Sequence, residues 1–100
     1  MTARRMKKPL SPVLRVKAEA RRRINARFPE WRQANMTARA VELIRRGEAT
    51  WTEAEQAEAA LIDAAWAWIK SVRAASDAIE VRLAAEPGLE IGDDDLWPDF

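Results

Sequence analysis

The chain contains no cysteine and no histidine. Without thiols there is no disulfide framework, no thiolate nucleophile and no cysteine zinc site. Without imidazole, histidine-based proton transfer and imidazole metal ligation are absent. The three glycines fall into no phosphate-loop pattern, so no glycine-rich loop cradles a phosphate. The only serines are Ser11, Ser71 and Ser76, and none has an evident activating base. Carboxylate pairs such as Glu55/Glu58 and Asp77/Glu80 share helix faces, but acid–base or metal work needs more ligands and burial. A solvated face accounts for them. The run Asp93-Asp94-Asp95 fixes no coordination geometry. These gaps predict a protein with no catalytic residues, no metal ligands and no cofactor, one that acts by binding rather than as an enzyme. No apolar run approaches the ~20 residues of a membrane span. The basic start is followed by no apolar core of a secretory signal. The expectation is a soluble intracellular product without membrane contact.

What the chain does have is charge, sharply divided. The net charge is only +1, but residues 1–46 hold fourteen Lys/Arg against three Glu, while residues 47–100 hold three Lys/Arg against thirteen Asp/Glu. Two ends of opposite sign can fold together, pair head to tail, or face different partners. Nearly half the residues are apolar, but many are alanine, so the core is small and completion by an oligomer or a partner is expected.

The organising stretch is residues 51–86. Thr52-Glu53-Ala54-Glu55 is a capping box, and no glycine or proline follows until Pro87-Gly88. Alanine, glutamate, leucine and arginine favour helix between them, which predicts one helix of about 34 residues, ~50 Å long. Leu61, Ala65, Trp68, Val72, Ala75 and Ile79 mark an apolar seam, with Ile62, Trp66 and Ile69 as a second stripe. Trp66 and Trp68 lie about 200° apart on the helix, so one seam cannot take both. An aromatic left outside marks an interface.

Upstream, residues 1–10 read as a flexible basic arm in which Arg4, Arg5, Lys7 and Lys8 suit phosphates or an acidic protein patch. Ser11-Pro12 starts a helix over residues 13–28, with Val13, Val16, Ala20, Ile24 and Phe28 near one face. Its cationic residues, including Arg15 and Arg22, make nucleic acid a possible partner of the basic half, although Arg21, Arg22 and Arg23 point in three directions. Pro29 predicts a kink or break, followed by a second helix over residues 30–46. There Trp31, Ala34, Ala38, Val41 and Ile44/Arg45 give the apolar spacing, flanked by Met36, Ala40 and Leu43. Gly47 ends it, and the short loop to Trp51 implies antiparallel neighbours. The predicted fold is therefore all-α: a basic arm (1–10), an antiparallel helical hairpin with a kinked first arm (11–86) and an acidic aromatic tail (87–100).

The tail, PGLEIGDDDLWPDF, is expected to be extended or mobile. Leu96, Trp97 and Phe100 within acidic residues either dock on a basic partner or fold back on the protein's own basic arm. The stretch resembles the acidic tip of bacterial single-stranded-DNA-binding proteins, with Asp99 interrupting the terminal Pro-Phe of that pattern.

Residues 23–36, RINARFPEWRQANM, resemble a segment of small phage and prophage proteins: an Arg-Ile helix end, then aromatic-Pro-x-Trp-basic-Gln-x-Asn. Phe28, Pro29, Trp31, Arg32, Gln33 and Asn35 match it, and residues 68–73 resemble the second helix of those proteins. Such proteins come from the tail and tail-fibre gene region. The resemblance implies a structural or assembly accessory, working as a homo-oligomer or hetero-complex on a phage tail or tail-fibre protein, in the host cytoplasm or the virion. The residues expected to contact the partner are Trp31, Trp66, Trp68, Leu96, Trp97 and Phe100. The alternatives are a nucleic-acid-associated regulator using the basic half, or an inhibitor of a host protein acting through the acidic tail.

Overall fold

A computed structural model describes residues 11–100. The expected basic arm, with Arg4, Arg5, Lys7 and Lys8, lies outside the described residues. Three α-helices, α1 (Pro12–Arg27), α2 (Glu30–Arg46) and α3 (Glu53–Ala85), account for most of the rest, and there is no strand among the described residues.

Local chemistry sets each boundary. The Ser11 hydroxyl accepts from the Leu14 N–H at 3.2 Å, and Pro12 occupies the first turn of α1. Pro29 keeps Phe28 out of helical conformation, so the chain breaks there rather than merely bending. Gln33 spans the break, its amide donating to the Phe28 carbonyl at 2.7 Å. Gly47 closes α2 at φ +87, a left-handed conformation that only glycine adopts cheaply, and its N–H donates to the Leu43 and Ile44 carbonyls. A 3₁₀ turn over Glu48–Thr50 then reverses the chain. At the start of α3 both halves of the capping box form: the Glu55 N–H donates to the Thr52 hydroxyl and the Thr52 N–H to the Glu55 carboxylate, each at 3.1 Å.

The first arm lies along α3 in the opposite direction. Lys17 pairs with Glu80 at 3.0 Å, Phe28 stacks at 5.8 Å from Trp68, Arg39 bonds Glu58 at 2.9 Å, and Arg46 bonds Glu55. The buried seam of α3 is Ile62, Ala65, Ile69, Val72, Ser76, Ile79 and Leu83. The expected seam is corrected here. Ala65, Val72 and Ile79 belong to it, but Leu61 is 69% exposed, and Trp68 and Ala75 flank it. The true seam runs between the two apolar stripes and passes through a serine, which hydrophobic periodicity does not select.

Against this seam α1 packs Val16, Ala20, Ile24 and Phe28 at intervals of four. Packing of α2 is thinner, with Leu43 as its sole buried residue. Trp51 covers Leu43 from the loop, its indole N–H donating to the Leu43 carbonyl at 2.8 Å.

Residues 87–100 are neither extended nor free. Turns closed by Leu89 N–H to the Glu86 carbonyl and Asp93 N–H to the Glu90 carbonyl bend the segment back, and a 3₁₀ turn at Asp94–Leu96 delivers Trp97 into the core. Apolar side chains at 89, 91, 96 and 97 supply the burial that composition alone conceals.

Candidate interaction surfaces

The predicted contact residues separate into two groups. Leu96, Trp97, Trp68 and Phe100 come together in the groove between α1 and α3. Trp97 is only 5% exposed, and its indole N–H donates to the Ile91 carbonyl at 2.8 Å. The Trp68 indole N–H donates to the Pro98 carbonyl at 3.1 Å. Phe28, Trp68 and Phe100 form an aromatic trio with ring centroids 5.2–5.8 Å apart. The Arg23 guanidinium sits 5.3 Å from the Trp97 ring, and the Arg27 guanidinium 5.0 Å from the Phe100 ring, both within cation–π range. Arg23 also bonds Asp94 at 2.8 Å. The acidic segment is thus held in cis by the basic helix α1. Trp66 is half-buried against the core.

Trp31 stands apart from these, 66% exposed on α2. Val41 and Ile44 are exposed on the same helix, Ile44 at 71%. Ala34, Ala38 and Arg45 lie between and beyond them, also exposed. The residues expected to be the packing stripe of α2 therefore face outward, and this too is a correction. Ion pairing lies on the same side of α2 as its buried residue: Arg39 reaches Glu55 and Glu58 at 3.2 and 2.9 Å, while Leu43 faces Ile62 and Trp51. Beside Ile44, Ala40, Leu43, Trp51, Ala59 and Ile62 line an apolar hollow of ≈ 210 Å³ between α2 and α3. The outward face of α2 and this hollow share Ile44. Val41 and Ile44 carried the helical spacing in sequence. Their exposure depends on how α2 is rotated against α3, which spacing does not state.

Electrostatics follows the charge division. The Arg46 guanidinium and the Thr52 backbone N–H hold the Glu55 carboxyl down at about 2. The Arg22 guanidinium, bonded to Glu19 on the surface, lowers the Glu19 carboxyl. Arg15 is exposed on α1. Of the remaining cations, Lys17, Arg23, Arg39 and Arg46 each meet a carboxylate from the second half of the chain. Among the described residues no group of three His, Cys, Asp or Glu is placed to hold a metal ion, and no helix is long and apolar enough to cross a membrane.

No family model, curated protein or solved structure matches the chain.

Proposed function

We propose that this chain is a helical assembly accessory that binds a phage tail or tail-fibre protein by helix-on-helix contact, using the outward face of α2. The observation that carries the proposal is the exposure of Trp31, Val41 and Ile44 on a helix that buries only Leu43 of its own. Large apolar residues left exposed on a helix that buries so little of itself favour covering by another molecule. Alanines at 34 and 38 leave room for a second helix backbone to approach between them. The supporting frame is an antiparallel hairpin, α1 and α2 on α3. The tail context is supported by the likeness of residues 23–36 to small phage proteins, a segment that contains Trp31 itself.

In this reading the chain binds and does not catalyse. The pairing of basic first-half residues with carboxylates of the second half lowers the field that a phosphate backbone would meet, so the protein partner is favoured over nucleic acid.

The test is binding to the tail and tail-fibre proteins encoded beside the gene, measured by titration calorimetry. A buried interfacial tryptophan is commonly worth about 2 kcal/mol or more, roughly thirtyfold in affinity. Trp31→Ala with Ile44→Ala should therefore weaken binding by at least about that factor, with little dependence on salt. Unchanged affinity in the double variant, or binding that collapses with salt alone, would refute the proposal.

A further inference from the structure

The contacts on residues 92–100 divide by kind. Three side chains of the α1–α3 groove donate to three main-chain oxygens: Arg23 to Gly92 at 3.0 Å, Trp68 to Pro98 at 3.1 Å and Arg27 to Phe100 at 3.2 Å. Main-chain contacts of this sort hold a segment of this backbone shape whatever its side chains. Identity is read separately, by the closed site around Trp97, by the edge of the Phe28–Trp68 pair against Phe100, and by Arg23 on the Asp94 carboxylate. Backbone capture combined with a few side-chain sites is the way a peptide-binding groove works.

The occupant is also incompletely enclosed. Phe100 is 52% exposed, and beside it a hollow of ≈ 360 Å³ stays open between Arg22, Arg27, Trp68 and Pro98. The link to α3 runs through exposed Pro87 and Gly88, with no atom within 4 Å of where a Gly88 side chain would begin.

We propose that the α1–α3 groove is a binding site for an acidic peptide of another protein, one carrying a tryptophan three residues before a phenylalanine and an aspartate upstream, and that residues 90–100 occupy it in cis as a built-in competitor. The seated segment defines the ligand chemistry, and the cationic groove complements it in charge. This site lies apart from the outward face of α2, so its failure would leave that reading untouched. The tethered segment lowers the apparent affinity for an outside peptide by the fraction of time the groove stands open.

The probe is a fluorescein-labelled peptide with the sequence of residues 90–100, followed by anisotropy. Trp97→Ala in the full chain should bind it about tenfold or more tighter than the intact chain does, because the competitor is loosened. Adding Arg23→Glu and Arg27→Glu should remove that binding. Equal binding by the intact chain and Trp97→Ala, or binding that survives the arginine reversals, would overturn the proposal. Should Trp97→Ala fail to fold, the intact ¹⁵N-labelled chain serves instead. Millimolar peptide should shift the indole N–H signals of Trp68 and Trp97 while a scrambled peptide does not, and no shift would overturn the site. A concentration-dependent dimer in light scattering that is lost in Trp97→Ala would also overturn it, in favour of a second copy donating the segment.

Discussion

Replacing Trp97 with alanine tests whether residues 87–100 are part of the fold. A tryptophan at this depth removes on the order of 200 Å² from water, which at ~25 cal/mol per Å² is about 5 kcal/mol at most. Alanine keeps a little of that burial, and a loosened segment regains chain entropy, so the net loss should be nearer 3 kcal/mol. The indole N–H bond to the Ile91 carbonyl is also lost, and because Ile91 is only half-buried this adds little. For a domain of this size 1 kcal/mol moves the melting point by roughly 4–8 °C, so a drop of about 12–24 °C is expected. The assay is thermal unfolding followed by circular dichroism at 222 nm, with near-ultraviolet dichroism to report loss of the packed indole. Trp31→Ala is the matched comparison, because an exposed indole should cost within about 0.5 kcal/mol. A Trp97→Ala melting point within about 4 °C of the parent, or equal losses in the two variants, would show that the segment is not docked as described.

Three further comparisons address the rest of the frame. Leu43→Ala should cost about 2–3 kcal/mol by chemical denaturation, as the lone buried residue of α2, whereas Leu61→Ala should be nearly silent; the reverse order would mean that the seam is misplaced. Gly47→Ala meets no atom within 4 Å but must hold φ +87, so a loss of about 1–3 kcal/mol from backbone strain alone is expected, while Gly88→Ala should stay within about 0.5 kcal/mol. The Glu55 carboxyl titrates at about 2 when folded and near 4.5 ordinarily, so it releases its proton more readily in the folded chain. Its stabilisation is complete above the ordinary value and disappears as pH falls toward about 2. An acid titration of unfolding should therefore be shallower in Glu55→Gln than in the parent between about pH 5 and 2, and parallel curves would contradict the Arg46–Glu55 contact.

Much of the frame was legible because its signals are local. Ser11-Pro12, Pro29, Gly47 and the Thr52–Glu55 box act within one turn of chain, and each stands where its chemistry requires. The rotation of the helices was not legible, because it is decided by partners far away in sequence. On α2 the apolar spacing through Trp31, Ala38 and Val41 marks a face, but Leu43 and the Arg39 bonds to Glu55 and Glu58 lie on the side turned to α3, which leaves that face outward. On α3 a serine inside the seam and alanines around the helix blur the inward direction. The course of residues 87–100 was hidden by composition: four aspartates and two glycines suggest solvent, while docking depends on Arg23 and Arg27 more than 60 residues earlier. Trp31 was singled out in both views, whereas Val41 and Ile44 became candidate contact residues only once their exposure was seen.

The claim that α2 presents its outward face to another protein is tested most directly by photo-crosslinking in infected cells. A photoreactive amino acid placed at Val41 should give a product heavier by the mass of a tail or tail-fibre protein, and the same group at Ala84, exposed at the far end of α3, should give none. No product at position 41, equal products at both positions, or only a dimer of the chain itself would contradict the account.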